Sequence, residues 1–239
     1  MIDRIDDDIL QSRAGIALNH ASLKPTARTR ARGNLRIIGG QWRSRRIEVA
    51  ALEGLRPTPD RVRQTLFDWL QHFWAGQGLG LSGMRVLDAF AGTGALGLEA
   101  GSRGAAEVLF IEQHPQACRV LAKNLLAFKS QALRLIEADA MSTMQALAQH
   151  SQPFDLVFLD PPFAAGLDVA AAASALALLN QGGLLYLESD RSWAQALEQT
   201  SGSSREQLAS CLRLIRQAKA GAVHYHLLQR HNDSGQATS

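Results

Sequence analysis

From Met84 to Gln229, short apolar runs alternate with stretches in which apolar residues return every third or fourth position. The first kind reads as buried strands and the second as amphipathic helices. The pattern predicts strands over Arg85–Ala89, Glu107–Glu112, Leu133–Ala138, Asp155–Asp160, Gly183–Glu188, Cys211–Ala218 and Val223–Gln229. Helices are predicted in the intervals, over Ala95–Ser102, Gln116–Phe128, Met141–Gln149, Asp168–Leu179 and Trp193–Thr200. Five such strand–helix units imply a parallel sheet with right-handed crossovers. Only Lys219-Ala220-Gly221-Ala222 joins the last two strands. That is too short for a parallel crossover, so they should close as an antiparallel hairpin.

Upstream the periodicity changes. Residues 1–33 carry no apolar period and read as a mobile tail. Leu35 to Val49 holds two β-rich runs around Gly39-Gly40, which suggests a short hairpin. Arg56-Pro57-Thr58-Pro59-Asp60 then punctuates the chain, with Thr58 as an expected N-cap, Pro59 in the first turn and Asp60 against the helix dipole. Val62, Leu66, Trp69, Leu70 and Phe73 follow at helical spacing, to about Trp74. Gly76 to Gly83 reads as a linker. The chain of 239 residues thus divides into a tail, a basic hairpin and helix over 34–83, a main domain over 84–230 and a short tail over 231–239.

An alternating α/β sheet that ends in an antiparallel hairpin is the arrangement of the Rossmann-like methyltransferases. The loop after the first strand, Asp88-Ala89-Phe90-Ala91-Gly92-Thr93-Gly94-Ala95-Leu96-Gly97, satisfies GxGxxG, which by itself also fits a dinucleotide site. Asp88 separates the two. A carboxylate there repels a pyrophosphate but attracts the ammonium of a methionine moiety. Glu112, ending the second strand, can accept from both ribose hydroxyls. Asp139, after the third, can accept from an adenine amine or simply cap the next helix. Asp88, Phe90, Gly92, Gly94, Glu112 and Asp139 make a coherent S-adenosylmethionine crevice.

Asp160-Pro161-Pro162-Phe163 ends the fourth strand. Two prolines remove two N–H groups, so the loop offers only acceptors and side chains. Such a loop is either a plain X-Pro-Pro turn or a seat for a planar group with an exocyclic NH2. In the second case Asp160 and the Pro161 carbonyl accept the amine hydrogens and Phe163 stacks on the ring.

Charge adds a partner. From Lys24 to Arg46 the chain is rich in arginine and holds no Asp or Glu. This is the electrostatic footprint of a phosphate backbone, or else a solvated arm. Trp42 within the block favours nucleic acid, with Arg36, Trp42, Arg43, Arg45, Arg46 and Arg56 as the expected contacts. The two cysteines lack CxxC spacing, so neither a disulfide framework nor a metal site is expected. No apolar run reaches the ~20 residues of a membrane span, and the acid-rich start is no signal peptide. A cytoplasmic, monomeric enzyme is expected.

Arg36-Ile37-Ile38-Gly39-Gly40-Gln41-Trp42-Arg43, Gly54-Leu55-Arg56-Pro57-Thr58, Asp60 to Phe67, Asp88 to Ala100 and Asp160 to Phe163 together resemble the bacterial 16S ribosomal RNA guanine-N2 methyltransferases of the methyltransferase D family. Pro59 and the longer N-terminal tail depart from that pattern. The resemblance implies methyl transfer from S-adenosylmethionine to the N2 amine of one guanine, in a largely assembled small ribosomal subunit. The released proton would go to Asp160 or to water. Methylation of adenine N6 or of a protein glutamine remains as an alternative, as does a non-catalytic RNA-binding assembly factor.

Overall fold

A computed structural model describes residues 35–52, 57–163 and 166–231. The N-terminal tail, Arg56 and the last eight residues therefore lie outside the described residues, and so do the expectations placed on them. A seven-stranded sheet organises the rest in the order β3-β2-β1-β4-β5-β7-β6. Its strands are β1 (Arg85–Asp88), β2 (Glu107–Glu112), β3 (Leu133–Glu137), β4 (Phe154–Leu159), β5 (Leu179–Ser189), β6 (Leu212–Ala220) and β7 (Val223–Arg230). β1 to β5 run parallel, whereas β7 is antiparallel to both β5 and β6, as the short connection requires. The order reverses between β1 and β4, which opens a crevice at their carboxyl ends.

Helices cover both faces: α1 (Asp60–Ala75), α2 (Ala95–Ser102), α3 (Pro115–Phe128), α4 (Ala140–His150), α5 (Asp168–Leu178), α6 (Trp193–Glu198) and α7 (Ser203–Cys211). The last of these corrects the expected strand start at Cys211. Its only buried residue is Leu208, too weak an apolar period to read from sequence. On one face α1 to α3 pack over Val86, Phe110, Phe158 and Tyr186. On the other, α4 to α7 pack over Leu87, Ile111, Val157 and Leu187. These sets alternate along each strand, as the pleat dictates.

Two details differ from the sequence reading of α1. Its N-cap is Pro59, which has no side-chain bond, because Thr58 instead donates to Glu188 Oε1 at 3.3 Å. Its buried stripe is Val62, Arg63, Leu66, Phe67, Leu70 and Trp74, while Trp69 and Phe73 sit at its margin.

The N-terminal hairpin is reduced to one bridge, Arg36 to Arg46, and is not a separate unit. Its turn is docked on the C-terminal end of α2. Gln41 N–H donates to Ser102 O at 2.7 Å, Trp42 N–H to Ser102 Oγ at 2.9 Å, and Ser102 Oγ–H to Gly39 O at 2.6 Å. A fully buried pair, Arg63 and Glu99 at 2.7 Å, ties α1 to α2, and Glu99 also accepts from Ile38 N–H.

Candidate active site

Gly94 precedes α2 in a left-handed conformation with φ of 73°, which a side chain would strain. An added Cβ there would also meet Leu121 at 2.4 Å, and one on Gly97 would meet Phe110 at 2.3 Å. The glycine pattern therefore serves two ends. It turns the chain under the crevice and lets α2 lie close against β2.

Of the acids predicted at the strand ends, Asp88 and Glu112 bond the same glycine loop and lie within electrostatic reach of each other. Asp88 is buried, and its Oδ2 accepts from Gly97 N–H at 2.9 Å, supplying the cap that Gly94 cannot. Burial, only partly offset by that bond and reinforced by Glu112, pushes the Asp88 carboxyl up to about 7. Glu112 is half-buried, with Oε2 accepting from Gly92 N–H at 2.8 Å and Oε1 from His114 N–H at 2.7 Å. Each carboxylate oxygen has two lone-pair sites, so Glu112 keeps room for further donors. Asp139 is exposed and caps α4 through Ser142 N–H at 2.9 Å, engaging only Oδ1. Phe90 is half-buried against the α4–α7 side of the core. Asp88 and Glu112 thus both hold backbone N–H groups of the glycine loop, and Asp139 stands between β3 and α4, a set of acceptors that fits an aminoacyl nucleoside.

β4 carries the second half of the site. Asp160 is half-buried, Pro161 is buried, Pro162 is exposed, and Phe163 is half-exposed, its carbonyl accepting from Gly166 N–H at 3.0 Å. Pro161, Pro162 and Phe163 wall a small recess with Leu167, Asp168 and Ser189. Its far side is rigid, because Asp168 accepts from Ser189 Oγ–H at 2.8 Å and from Arg191 at 2.6 Å. Burial, then Glu188 and Asp88, hold the Asp160 carboxyl well above the usual range.

Glu188 at the end of β5 was missed in the sequence reading. It is buried and accepts from Tyr186 O–H at 2.8 Å and from Thr58. A signal existed: Glu188 ends a predicted strand, the criterion that marked Asp88, Glu112 and Asp160. His226, on β7, is held structurally. Buried His226 accepts from Trp193 N–H at 3.1 Å through Nε2 and contacts Leu187 O at 3.2 Å through Nδ1, with its pKa lowered mainly by burial.

The expected nucleic-acid contacts do not all survive. Trp42 is buried, its ring 4.7 Å from that of Phe128 at a 40° tilt and held against Gly101, so it cannot meet a base. Arg45 lies 4.2 Å over the Phe128 ring and donates to Ala127 O at 2.6 Å, where it caps the end of α3. Arg36, Arg43 and Arg46 are exposed. Among the described residues no group of three or more His, Cys, Asp or Glu could hold a metal, and no helix is long and apolar enough to cross a membrane.

This frame can be set beside known proteins. Residues 35–229 match the family model described as conserved hypothetical protein 95. Over 204 residues the chain is 40% identical to ribosomal RNA small subunit methyltransferase D of Escherichia coli K12, covering 83% of this chain and 91% of that protein. The chain belongs to the ribosomal RNA small subunit methyltransferase D family. The span matched by the family model runs from the hairpin nearly to the end of β7. The solved structure of the Escherichia coli protein yhhF is 36% identical, with a TM-score of 0.64, and covers 83% of this chain and 99% of that one. SMU.776, solved in complex with SAH, shares the fold at 14% identity and a TM-score of 0.53, covering 71% of this chain and 48% of that one.

Proposed function

We propose that the protein transfers a methyl group from S-adenosylmethionine to the N2 amine of one guanine in 16S ribosomal RNA, within the small ribosomal subunit. One observation carries this reading. A rigid acceptor loop, Asp160 to Phe163, stands at the switch-point crevice beside a groove of acids and glycines, in a chain of the methyltransferase D family.

Asp88, Gly92, Gly94, Glu112 and Asp139 would hold the cofactor, which supplies an electrophilic methyl when bound. SAH in SMU.776 is the spent form of that cofactor. The amine is a poor nucleophile because its lone pair is delocalised into the ring. Asp160 and the Pro161 carbonyl each accept one N2 hydrogen, which favours a pyramidal nitrogen and aims the lone pair. Phe163 stacks on the base, a contact worth about 1–3 kcal/mol. Most of the acceleration then comes from orientation. The target base must leave its stack to enter, which favours a loop or a flipped nucleotide.

The test is incubation of small subunits, taken from cells lacking this protein, with labelled cofactor and then mapping of the label. Label on one guanine N2 is expected. Asp160→Ala should keep the unfolding temperature and lose about 10²-fold or more in turnover. Label in adenine or in protein would replace this reading, and no label in any component would reduce the chain to a binding factor.

A further inference from the structure

Beyond the acceptor loop, the crevice holds a second carboxyl group whose partners come from distant parts of the chain. Leu159 of β4 pairs in register with Leu187 of β5, so Asp160 and Glu188 are the next residues on adjacent parallel strands. Neighbouring strands lie about 4.8 Å apart, and residues in register point to the same face. The two carboxyl groups are thus side by side. Beneath them lies an aromatic floor: Phe158 and Tyr186 meet edge to face at 6.1 Å, Phe67 packs on Phe158 at 6.1 Å, and Tyr225 lies 6.5 Å from Tyr186. Water is excluded from that side. Asp88 faces Asp160 from β1, and Tyr225 is in register with Glu188 from β7. Among the described residues no ion pair reaches Asp160, Glu188 or Asp88.

Two carboxylates in such a place cannot both ionise cheaply. Their hydrogen bonds are unequal. Glu188 Oε1 receives both the Tyr186 and the Thr58 hydroxyls, each of which favours its anion. Thr58 reaches it across 130 residues of sequence, from the Arg-Pro-Thr segment before α1. Oε2 receives neither.

We propose that Glu188, pinned by Tyr186 and Thr58, is a positioning residue for Asp160: the two carboxyl groups share one proton, and the hydroxyl pair leaves it on Asp160. The Asp160 O–H then points at Glu188 Oε2, which turns the other Asp160 oxygen to the amine as an acceptor. This rests on the proposed amine methylation for its catalytic consequence. As the N–C bond forms and the S–C bond breaks, sulfur keeps its electron pair. The N–H bond electrons return to nitrogen, the proton passes to the free Asp160 oxygen, and the proton already on Asp160 crosses to Glu188 Oε2. The carboxyl pair goes from one negative charge to none, and water later removes the proton.

The test uses the infrared carbonyl band of protonated carboxyls in the whole protein, without cofactor or RNA. The component that Asp160→Asn removes should titrate above the ordinary aspartate range. In Glu188→Gln the same component should move to lower pH by at least tenfold in proton affinity, because the neighbouring charge is gone. Tyr186→Phe deletes only a donor and is the safer variant for folding. It should move the band the same way by less, since Glu188 then competes for the proton. With an unchanged unfolding temperature, Glu188→Gln should also lose about 10²-fold in kcat at saturating subunit, with KM unmoved. An Asp160 band that ignores both variants, or full turnover in Glu188→Gln, overturns the proposal. The infrared result needs neither amine nor cofactor. Failure of the wild type to label RNA would sink the functional reading and leave the shared proton standing.

Discussion

Glu99→Gln should be among the most damaging conservative changes in this protein, although it lies outside the crevice. Glu99 and Arg63 both have fully buried side chains. Glu99 Oε1 accepts from Arg63 at 2.7 Å and from Ile38 N–H at 2.6 Å, while Oε2 takes Arg103. A glutamine of the same shape keeps one acceptor but turns an amide NH2 toward a guanidinium and strips Arg63 of its buried counter-charge. Breaking a buried pair costs about 3–5 kcal/mol. Arg63 retains Asp60 at 2.6 Å, but that partner is 53% exposed and screened, so the low end, about 3 kcal/mol, is expected. For a domain of this size that is about 6–12 °C in unfolding temperature, read by calorimetry at fixed pH and salt. Replacing both partners, as in Arg63→Leu with Glu99→Leu, should cost less than Glu99→Gln alone, because the fully buried guanidinium goes with its acid, while Arg103, which also loses Glu99, still reaches solvent. A drop under about 2 °C for Glu99→Gln would refute the reasoning, and so would a double variant worse than the single.

Asp88 makes stability and binding run oppositely with pH. Its folded value of about 7 lies above the ordinary aspartate value of 3.8, so its contribution is fully present below about pH 4 and is lost as pH rises through 7. That amounts to at most about 4 kcal/mol at about 1.4 kcal/mol per tenfold, and urea titrations of Asp88→Asn should lack this loss. If the Asp88 anion attracts the cofactor ammonium, calorimetric affinity for S-adenosylmethionine should climb through pH 7 in the wild type and stay flat in the variant. For RNA docking, Arg43→Ala with Arg46→Ala should reduce the log–log salt slope of subunit binding by about 1.4–1.8, at 0.7–0.9 per phosphate contact. An unchanged slope would leave both as solvated surface. Arg45→Ala should instead lower the unfolding temperature, because its guanidinium caps α3.

What could be read from sequence follows from the range of the interactions concerned. Strand ends are local: a short apolar run that stops at Asp88, Glu112 or Asp160 places a carboxylate at the carboxyl end of a strand whatever the rest of the chain does. Antiparallel closure of β6 and β7 is equally local, fixed by the short connection. Burial of a polar residue is not. Trp42 and Arg45 stand in an arginine-rich stretch, and local composition assigned them to RNA. Ser102, Ala127 and Phe128 decide otherwise, across some 60 to 86 residues. Arg63 carried a clue, since it shares the stripe of Phe67, Leu70 and Trp74, and a cation on an apolar stripe requires a buried acid. Nothing along the chain says that the acid is Glu99. Thr58 shows the same limit from the other side. Local rules made it a helix cap, which is the best use of a threonine before Pro-Asp when no other partner exists. Glu188, brought close by the sheet, offers a buried carboxylate. That bond draws Thr58 from the helix end into the crevice.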